Sequence, residues 1–209
     1  QKISPMNLNE LTQVAIKAAK EAGKVIQQAA DTNIAVDRKD GGSTLATKVV
    51  TEIDRQCDAL IRQILQPTCV TYDLGLLTEE QVDDRSRLEK DYFWCVDPLD
   101  GTLAFINKEP GFAVAIALVS QKGIPVIGVV YNPSTQVLYH AIQGEGVFRN
   151  EKPWQPIQKE PNLLTYVTEK PLAEHPNASE IKQLLQHTMN ANKLTKMQTV
   201  FGGGAVWNA

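Results

Sequence analysis

From Leu8 to Ala29 apolar residues recur every three or four positions: Leu11, Val14, Ala15, Ala18, Ala22, Val25, Ile26 and Ala29. That period predicts an amphipathic helix with one buried face, with Lys17, Lys20, Glu21 and Lys24 mostly turned away from it. Ile53, Leu60, Ile61, Ile64 and Leu65 form a second helical stripe. Thr51 is placed as its N-cap with Asp54 at capping-box spacing, and Gln66-Pro67 predicts its end. Leu74 to Leu77 is a short apolar run, weakened as a strand by Gly75. Tyr92 to Val96 predicts a buried strand that stops abruptly at Asp97-Pro98. From Phe112 the pattern turns to β, with strands expected at 112–120, 125–131 and 136–142 and a further short one in Gly144 to Asn150. Short turns between them predict antiparallel neighbours. Pro153 to Pro161 is the best boundary, dividing an N-terminal α+β part (1–155) from a C-terminal α/β part (156–209). In the latter, Tyr166-Val167-Thr168 and Met197 to Val200 read as strands and Ala178 to Asn190 as a helix.

The segment Trp94-Cys-Val-Asp-Pro-Leu-Asp-Gly-Thr102 carries the chemistry. Pro98 fixes φ and Gly101 supplies the freedom of a tight reversal, so Asp97 and Asp100 are thrown together at the carboxyl end of a strand. Adjacent carboxylates repel unless protons or cations lie between them. Mg²⁺ prefers oxygen ligands and often takes one or two carboxylates with phosphate and water. Either dipeptide alone is more often a solvated turn, but here the two overlap, fed by an apolar strand and followed by a hydroxyl.

A third acid is expected from another element. Glu79 and Glu80 follow the Leu74–Leu77 run, although Asp83, Asp84 and Glu89 nearby also fit a solvated acidic loop. Asp54 enters a helix, where the capping-box role competes with a functional one.

In that order, Asp54, Glu79-Glu80 and Asp97-Pro98-Leu99-Asp100-Gly101-Thr102 resemble the inositol monophosphatase-like superfamily of Mg²⁺-dependent, lithium-sensitive phosphatases. Phe105-Ile106, Gly111 to Val119, Gly128 to Pro133 and Gly144 to Arg149 look most like its 3′(2′),5′-bisphosphate nucleotidase branch. The resemblance implies a layered α-β-α-β-α sandwich of the inositol monophosphatase/fructose-bisphosphatase type. It also implies two or three Mg²⁺ ions and inhibition by Li⁺. Glu79, Asp97, the Leu99 carbonyl and Asp100 would hold metal, and Thr102 and Asp54 would polarise the attacking water. The Gly101 and Thr102 amides would meet phosphate. Gly203, Gly204 and Ala205 would belong to a substrate loop, and no covalent phosphoenzyme is expected. Lys39 and Lys48 are further phosphate contacts to weigh against ordinary solvated lysines.

Two departures stand out. The family's late metal-ligating Asp, in Trp-Asp-x-x-Ala, has no counterpart: Trp207-Asn208-Ala209 carries Asn. The C-terminal part is therefore expected to be incomplete, stopping short of that ligand. Leu103-Ala104 stands where the nucleotidase branch usually has Lys-Glu. The favoured substrate is 3′-phosphoadenosine 5′-phosphate, with inositol monophosphate as the alternative. A phosphate- or metal-binding protein without turnover is the competing class, motivated by the absent acid.

The 209 residues are 43% hydrophobic with a formal charge of −3. With no basic cluster, neither nucleic acid nor an anionic membrane is an expected partner. No apolar run approaches the ~20 residues of a membrane span. Cys57, Cys69 and Cys95 are an odd, irregular set, as reduced thiols in a cytoplasmic protein would be. The expected partner is a small phosphorylated metabolite, with a homodimer as one admissible assembly.

Overall fold

The computed structural model describes residues 6–31, 45–109, 111–155, 162–168 and 174–201. Two long helices, α1 (Leu8–Asp31) and α2 (Leu45–Tyr72), precede β1 (Gly75–Thr78), a short α3 (Ser86–Glu89) and β2 (Tyr92–Asp100). One turn of helix, α4 (Thr102–Ile106), then leads into β3 (Ala113–Ser120), β4 (Pro125–Asn132), β5 (Val137–Ile142), β6 (Gly146–Arg149) and β7 (Lys152–Pro153). These seven strands form one sheet in chain order, β1 parallel to β2 and every later pair antiparallel. A second, two-stranded sheet pairs β8 (Leu163–Thr168) in parallel with β9 (Lys196–Phe201), joined through α5 (Ala178–Ala191).

The sheet buries alternate residues because side chains alternate across a strand. Trp94 and Val96 face Leu118 and Ile116 across the ladder, which in turn face Ile127 and Val129. All six are buried, and α1 and α2 cover this face. The close approach of α1 to β4 depends on Gly23, where a Cβ would sit 2.4 Å from the Tyr131 ring. Trp94 is fully buried yet keeps its polar end satisfied, its indole N–H donating to Thr68 Oγ1 at 2.9 Å.

Three boundaries differ from the sequence expectation. α2 runs unbroken through Pro67 to Tyr72 instead of ending at Gln66-Pro67. Gln63, Gln66 and Pro67 are exposed, so the carbonyl that loses its donor to Pro67 lies on the wet side of the helix. At its other end α2 begins at Leu45, so Thr51 is inside the helix and is not an N-cap. The capping-box account of Asp54 falls with it. β2 continues past Asp97 to Asp100, with an irregularity in its pairing instead of a stop.

Gly75 opens β1 without weakening it. A Cβ there would lie 2.9 Å from the backbone of Ser86 and Arg87, so α3 packs on the strand only because the side chain is missing.

Candidate metal centre at the ends of two strands

The irregularity in β2 is what orients the acid pair. Asp97 pairs with Ala115 and Asp100 with Ala113, so three steps on β2 face two on β3. Residues three apart on a regular strand point to opposite faces; one inserted residue returns them to the same side. Within this bulge the Leu99 N–H donates to Asp97 Oδ1 at 3.1 Å, which holds the Asp97 side chain back along its own chain. Gly101 then takes a left-handed conformation (φ 86°, ψ 36°), and α4 starts at Thr102. The Thr102 hydroxyl donates to the Leu99 carbonyl at 3.2 Å. Phe105 and Phe112, edge to face with centroids 5.3 Å apart, anchor this turn to the core, while Leu103 is 60% exposed beside it.

The third acid arrives through the parallel pair. Thr78 pairs with Val96, and one residue further the Glu79 N–H donates to the Val96 carbonyl at 3.1 Å. Glu79 is thereby held beside Asp97. The two carboxyl groups are close enough to interact directly. Partial burial first, then the nearby charges of Glu79 and Asp100, push the Asp97 carboxyl up to about 7. Its bond from the Leu99 amide works in the other direction and is outweighed.

Asp54 comes from α2, one position past Ile53 in the buried stripe. Burial first, then the charges of Glu80 and Glu79, raise its carboxyl to about 7 as well. Four of the predicted acids (Asp54, Glu79, Asp97 and Asp100) are thus within electrostatic reach in a chain, α2 to β1 to β2. Glu80, named with Glu79 in the motif but given no role of its own, also lies within electrostatic reach of Asp54.

The donor set is all oxygen, and a hard divalent cation suits it: such an ion takes carboxylate and carbonyl ligands and offsets the like-charge repulsion that, after burial, raises Asp97 and Asp54. The side chains are neighbours by charge rather than a finished cage. Among the described residues no three of the His, Cys, Asp and Glu side chains form a group ready to hold an ion. Gly203, Gly204, Ala205 and Lys39 lie outside the described residues, as does the side chain of Lys48.

The sequence reading missed Asp58 and Gln81. Asp58 lies on α2 with only 1% of its surface exposed and accepts a hydrogen bond from Gln81 Nε2 at 2.8 Å. Its spacing from Asp54 and Arg62, four residues each way, was the available signal.

The family model of the inositol monophosphatase family matches residues 7–206. The chain belongs to the inositol monophosphatase family. Inositol monophosphatase 2 of Solanum lycopersicum is 36% identical over 146 residues, covering 69% of this chain and 53% of that protein. This chain spans about half the length of that relative. The structure of CysQ from Bacteroides thetaiotaomicron, described as a bacterial member of the family, matches with TM-score 0.71 at 26% identity, covering 93% of this chain and 73% of that one. Inositol monophosphatase II of Staphylococcus aureus matches with TM-score 0.70 at 26% identity, covering 95% and 69%. Structures of SaIMPase-II with 2′-AMP bound (TM-score 0.66, 26% identity, covering 92% and 66%) and with inositol monophosphate bound (0.63, 25%, covering 94% and 67%) match too. The family's mixed α/β architecture is the one seen here. Among the described residues no helix is long and apolar enough to cross a membrane.

Proposed function

We propose that this chain carries the site of a Mg²⁺-dependent phosphomonoesterase acting on a small phosphorylated metabolite. The observation that supports this most is the placement of Glu79 and the bulged Asp97–Asp100 pair at the ends of two neighbouring strands, where burial and then their mutual charge raise Asp97 to about 7. Membership of the family adds the reaction class.

Glu79, Asp97, Asp100 and the Leu99 carbonyl would hold the ions. When bound, Mg²⁺ supplies positive charge against the phosphate and acidifies water. The chain's own residues do the rest. Thr102 can donate and accept at once, so its hydroxyl, turned toward Leu99 here, can orient a water while passing a proton on. Asp54, within electrostatic reach of Glu79 and Glu80, is the side chain to take that proton. The amides of Gly101 and Thr102, at the start of α4, are assigned to the phosphate oxygens, and Gly203, Gly204 and Ala205 to the rest of the substrate.

For the substrate we favour 3′-phosphoadenosine 5′-phosphate, on the branch-like segments that flank the acidic motif. The nucleotide held by SaIMPase-II is consistent with that choice. Inositol monophosphate is the second reading, favoured by the tomato relative and by Leu103-Ala104 in place of the charged pair. Phosphate release from 3′-phosphoadenosine 5′-phosphate and from inositol 1-phosphate, each with Mg²⁺ and with a chelator, decides between them. Faster release from the bisphosphate, lost on chelation, is expected. Equal release with the chelator would refute the metal-dependent reading, and faster release from inositol 1-phosphate would refute the nucleotide preference.

A further inference from the structure

Asp58 is a carboxylate in the core with no catalytic part assigned to it. Gln81 Nε2 donates to its Oδ2 at 2.8 Å, and Arg62 Nη1 approaches the same oxygen at 3.8 Å. Its Oδ1 has no hydrogen-bond partner among the described residues. A buried charge of this kind is a poor way to gain stability, since well-packed apolar residues commonly do as well or better. What it does have is location. Asp58 sits one helical turn beyond Asp54 on the same side of α2. Gln81 is one residue past Glu80 and two past Glu79.

The turn that carries both glutamates is therefore gripped from two sides. Its backbone hangs from β2 through the Glu79 N–H and the Val96 carbonyl. Its far end reaches α2 through the Gln81 amide, a contact spanning 23 residues of chain. Thr78, at the near end, is buried but its hydroxyl makes no hydrogen bond among the described residues, so it adds no side-chain tie.

We propose that Asp58 and Gln81 are a positioning pair: their hydrogen bond fixes the Glu79-Glu80 turn against α2, and so sets the affinity of the acid cluster for its cation. The proposal rests on the metal-site reading above. Neither residue touches substrate. Partners that orient metal ligands typically change affinity by about 10–100-fold when removed.

Gln81 is exposed, so its side chain can be altered without opening the core. In Gln81→Met the length is kept and the donor removed; in Gln81→Asn the amide is kept but drawn back by one methylene. Mn²⁺ binding to the full chain, followed by electron paramagnetic resonance without substrate, should weaken about ten-fold in both, while the metal-free chain still melts in one cooperative transition, lowered by no more than the few degrees that leaving Asp58 unpaired costs. In phosphate release, the half-saturating Mg²⁺ concentration should rise by a similar factor while kcat at saturating Mg²⁺ recovers. Wild-type affinity in both variants would overturn the proposal alone. Weaker binding that appears only where the metal-free chain loses its cooperative melting transition would also overturn it, by showing a general structural role. Failure of the unaltered chain to bind Mn²⁺ would instead remove the metal-site reading, and this proposal with it.

Discussion

Replacing Asp97 with Asn should separate stability from function. The two side chains have nearly the same shape, and Asn Oδ1 can still accept from the Leu99 amide, so the bulge survives. What is lost is a negative charge beside Glu79 and Asp100. A carboxyl raised from 3.8 to about 7 binds its proton more tightly folded than unfolded. Between those two values the native state therefore holds more protons, and stability falls as pH rises through the window. Counted in full, the rise corresponds to about 4 kcal/mol at pH 8. Asp97 is only partly buried, and solvent screening brings this to about 1–2 kcal/mol. With a chelator present, Asp97→Asn should then be more stable than the unaltered chain at pH 8, melting about 3–6 °C higher, and indistinguishable from it near pH 4. Some slope should remain between pH 4 and 7, because Asp54 is raised by burial, Glu80 and Glu79 and keeps its own dependence. The same variant should release no phosphate. Calorimetric melting from pH 4 to 8 is the assay. A variant less stable than the parent at pH 8, or a parent whose stability is flat across the window, would refute the reasoning.

Other changes test separate parts of the account. Thr102→Ala should lower phosphate release by about 10²–10⁴-fold while leaving Mn²⁺ affinity near that of the parent, as steady-state kinetics and titration would show. Trp94→Phe removes the donor to Thr68 and part of a fully buried side chain. It should cost about 2–4 kcal/mol in urea unfolding, with no change in half-saturating Mg²⁺ if the fold persists. Gly75→Ala forces a methyl against the backbone of Ser86 and Arg87, which has no rotamer to escape by. A loss of about 1–3 kcal/mol is expected, accompanied by weaker Mn²⁺ binding because Glu79 follows from the same strand.

How far the sequence foretold this depended on which interactions decide each feature. The antiparallel run β3 to β5 was legible because burial on one face writes an alternating pattern, and α1 because its stripe is long. The ends of α2 were not. Thr51 and Pro67 carry strong local signals, but tertiary packing of Val50, Ile53, Cys57, Ile61 and Leu65 against the sheet overrides them. Cys57, expected as a reduced thiol, is a free cysteine within that buried stripe. The acids were recognised as a set by resemblance, whereas the bulge that turns Asp97 and Asp100 to one side shows only in the pairing with β3. An acid in a helix is ordinarily solvated, so Asp58 carries no local signal of burial, and its hydrogen-bond partner lies 23 positions away. Gly75 looked like a fault in a strand; the close backbone of α3 makes it a requirement.

Diffraction from crystals grown with Mn²⁺ and phosphate, recorded at the manganese edge, tests the central claim most directly. The account predicts anomalous peaks coordinated by carboxylate oxygens of Glu79, Asp97 and Asp100 and by the Leu99 carbonyl, at about 2.0–2.4 Å, with phosphate beside Gly101 and Thr102. Peaks elsewhere, or none near these acids at saturating Mn²⁺, would contradict it.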